Sequence, residues 1–163
     1  MIKNKKILVV GAGGFIGGHL VNRLLKDGNS IVAADIKPKE YWFQEFEDVE
    51  NYYSMDMKDI LNCKKVTKGI DFVFNMACNM GGMGFIENNK AECMQSVLIN
   101  TNLLISCKES GVKRYFFSSS ACAYNKTKQK EVFIEGLKEE DAYPADPEDG
   151  YGWKKLFSAR MCR

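Results

Sequence analysis

Lys6-Ile-Leu-Val-Val10 runs directly into Gly11-Ala-Gly-Gly-Phe-Ile-Gly17. The first five residues form an apolar, β-branched run that stops at glycine, the pattern of a buried strand. Ile16, Leu20 and Leu24 then fall at helical spacing, with Val21 and Leu25 beside them, and Gly28 supplies a stop. Ser30-Ile-Val-Ala-Ala-Asp35 reads as a second strand that ends in a carboxylate. The result is one strand–helix–strand unit, whose two strands are expected to be parallel.

The glycines inside this unit have separate uses. Gly11 allows a tight turn out of the strand, Gly14 lets a pyrophosphate approach the backbone, and Gly17 lets helix and strand pack closely. The N–H groups freed at Phe15, Ile16 and Gly17, together with the helix dipole, favour a phosphate there. A glycine-rich turn alone is a weak signal. Here it follows a strand, opens a helix and leads to an acid, which favours a dinucleotide site over a plain turn. Asp35 can accept hydrogen bonds from the adenosine ribose and would repel a 2′-phosphate, which points to NAD rather than NADP. Asp56, after the third predicted strand, is either an adenine contact or an ordinary solvated loop acid.

The rest of the chain continues the alternation. Strands are expected at Asn51–Met55, Asp71–Met76 and Lys113–Ser118, and helices at Asp59–Val66, from Phe85 to about Ser110, and from Tyr151 to Arg163 with no stop signal. Cys78–Gly84 is a Gly/Met loop, and Lys126–Asp141 is a charged stretch read as loop with one short β segment. This order implies an α/β, doubly wound parallel sheet. The 163 residues suggest about one domain.

Composition narrows the function classes. With 23 basic and 21 acidic residues, nothing draws the chain strongly to nucleic acid or membrane. No apolar run approaches the ~18–20 residues of a bilayer span. Ile7–Val10 is too short for the apolar core of a signal peptide. The six cysteines form no C-x-x-C pair and there is one histidine, so neither a disulfide framework nor a metal site is expected. Reduced thiols in a cytoplasmic protein are the expectation.

Tyr151-Gly-Trp-Lys-Lys155 places Tyr151 and Lys155 at i and i+4 on one helix face. A nearby ammonium favours the tyrosinate, and Lys155 can also hold the nicotinamide ribose. Ser118-Ser-Ser120 ends the fifth strand, and ligands of open parallel sheets bind at the carboxyl ends of strands. Ser120, Tyr151 and the cofactor are therefore expected to converge. His19 lies in the first helix with no acid or serine nearby, so a Ser-His-Asp triad is not expected.

Gly11–Gly17, Ser118–Ser120 and the Tyr151/Lys155 pair resemble the extended short-chain dehydrogenase/reductase family of nucleotide-sugar epimerases and dehydratases, which share a Rossmann-like fold. Three longer stretches, Asn79–Ile86, Ser119–Tyr124 and Leu137–Gly152, resemble the branch of that family that epimerises GDP-mannose at C3 and C5. The resemblance implies NAD as cofactor and a nucleotide sugar, GDP-mannose, as substrate. It implies that Tyr151 takes the proton of the sugar 4-OH, that Cys122 is an acid/base residue for the carbons flanking the 4-ketone, and that Gly81 and Gly82, with Ser120 and Cys122, approach the sugar. Cys122 by itself would be read as an inert thiol. The resemblance further implies a second acid/base lysine and a nucleotide-sugar region that these 163 residues lack, and a homodimer for the full-length form. The chain is accordingly read as an incomplete, N-terminal NAD-binding part, inactive in isolation. A 4-epimerase, dehydratase or decarboxylase of nucleotide sugars, and a non-catalytic NAD-binding module, are the alternatives. One departure is Asn125-Lys126, where related enzymes often carry Pro or Gly, so the loop beyond Cys122 is expected to differ.

Overall fold

The computed structural model describes residues 2–79, 81–130 and 136–163, and divides into two compact units. The first comprises Met1–Cys78 and Leu98–Phe117, and the second Asn79–Val97 and Ser118–Arg163.

The first unit is built on a five-stranded sheet: β1 (Lys6–Val10), β2 (Ser30–Asp35), β3 (Asn51–Ser54), β4 (Phe72–Asn75) and β5 (Arg114–Phe117), in the order β3-β2-β1-β4-β5. All four pairings are parallel, with Ile7 opposite both Ile31 and Phe72. The strand order reverses beside β1, so its carboxyl end is the position where open α/β sheets bind ligands. Three helices serve this unit: α1 (Phe15–Lys26), α2 (Ile60–Val66), and most of α5 (Ser96–Glu109).

Alternation along the strands sends side chains to two cores. Leu8, Val10, Val32 and Ala34 pack with Cys63, Val66, Leu103 and Cys107, so α2 and α5 cover that face. Ile7, Val9, Ile31 and Ala33 pack with Val21 and Leu24 of α1 and with Trp42 and Phe46. Burial pushes the Cys63 and Cys107 thiols up to about 12, so both remain protonated packing groups. Asp59 caps α2 by accepting from the Leu61 N–H at 2.8 Å, as its position before the helix predicts.

In the second unit, α3 (Met83–Asn88), α4 (Lys90–Met94) and the first residues of α5 precede α6 (Asp149–Met161). The single helix expected from Phe85 to Ser110 is three. Asn89 leaves helical geometry (φ −126°, ψ 43°), and its side chain donates to the Phe85 carbonyl at 3.0 Å, a local bond that competes with the helix ladder. The expected helix through Arg163 closes at Met161. There the Cys162 and Arg163 N–H groups bond carbonyls three residues back, at 3.2 and 3.4 Å, tightening the last turn. Described parts of the charged stretch are single turns at Lys126–Gln129 and Glu139–Ala142, and residues 131–135, where a short β segment would fall, lie outside the described residues. Among the described residues no helix is long and apolar enough to cross a membrane.

Asp71 joins three strands at the amino edge of the sheet. Its Oδ2 accepts from the Lys6 N–H at 3.1 Å and its Oδ1 from Lys113 Nζ at 2.9 Å. The Lys113 hydrogen bond, then that of Lys6, holds this carboxyl below its ordinary value. A carboxyl lowered on folding adds stability above its unfolded value near ~4, and that stability is lost as pH falls through the folded value. Urea midpoints measured from pH 7 to pH 3 should therefore fall less steeply in Asp71→Asn than in the unsubstituted chain.

Candidate active site

The first unit carries the glycine loop. Gly11 sits at φ +85°, and a Cβ there would lie 2.8 Å from the Ala77 nitrogen and 2.9 Å from the Met76 carbonyl carbon. At Gly17 a Cβ would lie 2.0 Å from the Gly11 carbonyl oxygen. The loop thus folds onto itself and against the end of β4. Both glycines are required by backbone contacts that no side chain can relieve. Around Gly14 an added Cβ would meet only the Gly11 oxygen, at 3.4 Å, which leaves its backbone approachable. The first helical bond of α1 runs from the Gly18 N–H to the Gly14 oxygen at 2.9 Å. The N–H groups of Phe15, Ile16 and Gly17 precede it and have no acceptor within the helix. The Phe15 and Ile16 side chains are exposed, and Phe15 meets the rings of His19 and Phe43 edge-on. A phosphate at this helix end would therefore be held by backbone rather than by these side chains.

Asp35 is buried at the end of β2. Its Oδ2 accepts from the Gly13 N–H at 2.9 Å and its Oδ1 from the Lys37 N–H at 3.0 Å. Each carboxylate oxygen can take a second hydrogen bond, so capacity for a ribose remains. Nothing in the sequence pattern sets Gly13 apart from its neighbours. A Cβ on it would lie 2.7 Å from the Trp42 ring, whose Nε1 donates to the Lys37 carbonyl at 2.9 Å. Gly13, Asp35 and Trp42 thus brace one another, a relation invisible before the chain folds. Asp56 accepts from the Lys58 N–H at 2.8 Å and pairs with Lys58 Nζ at 3.4 Å, so it shapes the turn before α2. The loop, the freed N–H groups and Asp35 fit the diphosphate and ribose of a dinucleotide.

The second unit carries the proton-transfer candidates. Tyr151 and Lys155 are both buried. Lys155 Nζ lies 5.7 Å from the centre of the Tyr151 ring and donates to the Ser118 carbonyl at 2.6 Å. Ser120 begins a single turn, Ala121–Ala123, and its Oγ accepts from the Cys122 N–H at 3.2 Å. The Cys122 oxygen accepts from the Glu148 N–H at 3.2 Å, so this cysteine is held on both sides of its α-carbon. Gly152 is the reason α6 comes so close: its Cβ would lie 2.3 Å from the Cys122 oxygen. Neither Gly152 nor Lys154 was singled out from sequence. The adjacency of Gly152 to Tyr151 was a signal for the first, and the i+3 spacing from Tyr151 for the second.

Gly81 and Gly82 lead into α3. A Cβ on Gly81 would lie 2.8 Å from the Phe85 Cβ, whereas Gly82 has open space around it. Met80 lies outside the described residues. The Asn125 departure is structural. Its side chain donates to the Pro144 carbonyl at 2.7 Å and accepts from the Thr127 N–H at 2.9 Å, capping the following turn. A cleft of about 320 Å³ opens on the Leu156 and Arg160 side of α6, and it includes Ser120 but not Tyr151, Cys122 or Lys155.

Replacing Gly152 by Ala should cost about 1–3 kcal/mol, because the clash is with backbone at 2.3 Å. Urea unfolding is the check, with Gly150→Ala as control, since a Cβ there meets nothing nearer than Met94 Sδ at 3.6 Å.

Comparison with known proteins completes the picture. The chain is 41% identical over 162 residues to the GDP-mannose 3,5-epimerase of Arabidopsis thaliana, an alignment covering 99% of this chain and 43% of that protein. It therefore spans less than half the length of that curated relative. Among solved structures, the UDP-N-acetylglucosamine 4-epimerase of Methanobrevibacter ruminantium in complex with UDP-N-acetylmuramic acid superposes with a TM-score of 0.79 at 25% identity, covering 98% of this chain and 50% of that one. MoeE5 in complex with UDP-glucose and NAD superposes with a TM-score of 0.75 at 30% identity, covering 96% and 48%. The fold is Rossmann-like, as the alternation of strands and helices implied. With its residues 7–163 matching the family profile, the chain belongs to the NAD dependent epimerase/dehydratase family.

Proposed function

We propose that this chain forms the NAD-binding and proton-transfer part of a nucleotide-sugar epimerase, acting on GDP-mannose at C3 and C5 through a 4-keto sugar. The observation that carries it is the grip on Cys122. Ser120 holds its N–H, Glu148 holds its carbonyl, and Gly152 admits that carbonyl to the helix of Tyr151 and Lys155. These contacts fix the backbone that carries the Cys122 thiol against the helix that bears Tyr151 and Lys155. The 41% identity to a GDP-mannose 3,5-epimerase supports the choice of sugar.

Gly11, Gly14, Phe15, Ile16, Gly17 and Asp35 hold the dinucleotide in this reading, with Asp56 toward the adenine and Lys155 toward the nicotinamide ribose. The chemistry that NAD supplies when bound is reversible hydride acceptance from sugar C4. Tyr151, as the tyrosinate that the Lys155 charge favours, accepts the proton of the 4-OH and becomes the neutral phenol. Ser120 keeps a hydroxyl proton to donate to the sugar while its oxygen holds Cys122. The 4-ketone acidifies the protons at C3 and C5. Cys122 exchanges such a proton on one face, and an acid/base group on the opposite face inverts the centre. The Gly81–Gly82 backbone faces the sugar.

The protein in its natural length, given GDP-mannose, should yield GDP-L-galactose and GDP-L-gulose by NMR, with solvent deuterium entering C3 and C5. Cys122→Ser should cut both products by about 10²-fold or more. A product inverted at C4 alone, still formed by Cys122→Ser, would favour the second reading. That is a 4-epimerase of UDP sugars, which needs no thiol and which the likeness to the M. ruminantium enzyme supports. The isolated 163 residues should bind NAD weakly in calorimetry and turn over negligibly. NAD binding without turnover in the natural length would mark a non-catalytic module instead.

A further inference from the structure

Lys154 is the bulkiest fully buried side chain among the described residues, at 1% exposure. Burying an ammonium is costly and persists only where nearby groups offset the loss of water. Its Nζ stands 4.7 Å from the centre of the Tyr151 ring, nearer than that of Lys155 at 5.7 Å. The same Nζ lies 3.3 Å from Ser96 Oγ and 3.5 Å from the Asn79 carbonyl oxygen. Ser96 Oγ in turn accepts from the Asn79 N–H at 3.0 Å. Asn79 is therefore held through its N–H by Ser96 and through its carbonyl by Lys154, immediately before the Gly81–Gly82 turn that opens α3.

The two adjacent lysines point about 100° apart around α6 and take different segments. Lys155 takes the Ser118 carbonyl at the end of β5, and Lys154 takes Asn79 at the start of the glycine turn. We propose that Lys154 is a positioning residue for the nucleotide sugar, pinning Asn79 and Ser96 to the Tyr151 helix so that the Gly81–Gly82 backbone is set at a fixed height beside the tyrosine. The role rests on the epimerase reading for the identity of what the turn holds, and on the Asn79–Ser96–Lys154 geometry for the pinning itself. Lys154 acts through the loop and touches no reacting atom.

Hydrogen exchange read by mass spectrometry on this chain tests the pinning without any turnover. Lys154→Met and Ser96→Ala should each speed exchange across residues 79–86 by about tenfold or more, the loss expected when a hydrogen bond to a charged group is removed. Exchange in β1 and α1 should change less than about twofold, as expected for segments with no shared partner. Lys154→Arg, which keeps charge and donors, should restore slower exchange. In the protein of natural length, Ser96→Ala, which keeps both lysine charges beside Tyr151, should raise KM for the nucleotide sugar by about 10-fold with kcat held within about threefold, the signature of lost ground-state and transition-state binding together. Should Lys154→Met fail to fold, Ser96→Ala decides. Unchanged loop exchange in Ser96→Ala overturns the proposal, and so does a fall in kcat at constant KM in that variant. If the unsubstituted protein turns over no nucleotide sugar, the epimerase reading fails while the exchange measurement still decides the pinning.

Discussion

At the carboxyl end of β1 the backbone has to leave the sheet while passing within contact of Ala77, and only a residue without Cβ can do so at φ +85°. Much of the first unit follows from that turn. Gly17 tucks under the Gly11 carbonyl, which starts α1 at once and points its first free N–H groups outward. Asp35 then reaches the Gly13 N–H, and Trp42 closes over Gly13 where any side chain would collide. A helix end with free N–H groups and a carboxylate are thereby fixed in one piece. The cores on both faces of β1 and β2 hold that piece still.

The second unit solves a different problem, that of keeping two ammonium groups and a phenol out of water on one helix. Tyr151, Lys154 and Lys155 are all buried, and the lysines reach backbone oxygens of Asn79 and Ser118. Charge held in such low-dielectric surroundings acts more strongly on its neighbours than it would in water. Its apolar core is small, comprising Ala123, Ala142 and Leu156 with Tyr124 against them, so polar contacts carry much of the organisation. The approach of Gly152 to the Cys122 oxygen leaves no room for a side chain, and it ties the cysteine's turn to the tyrosine's helix.

The strands were legible because each is a short apolar run bounded by glycine or a polar residue, and β1, β2, β4 and β5 fall where those runs lie. The helix boundaries were less so. Asn89 breaks the long predicted helix by bonding back to Phe85, a choice that propensity alone does not make. The charged stretch after Asn125 forms turns organised by that asparagine, whose partners Pro144 and Thr127 lie on both sides of it. Cys122 was picked out by resemblance. Nothing in its immediate neighbours distinguished it from Cys63 or Cys107, which burial leaves as packing groups.

By itself the sequence determined the order of the elements, the parallel sheet and the positions of Gly11, Gly17, Asp35, Ser120, Tyr151 and Lys155, because hydrophobic period and glycine placement act locally. Only the tertiary structure decided that Gly13 serves Asp35, that Gly152 serves Cys122, and that Lys154 is buried against Asn79 and Ser96 rather than solvated like most lysines. Those relations join residues far apart in the chain. What demands them is the space left and the hydrogen bonds still unmade once the elements have packed, and neither exists until they have.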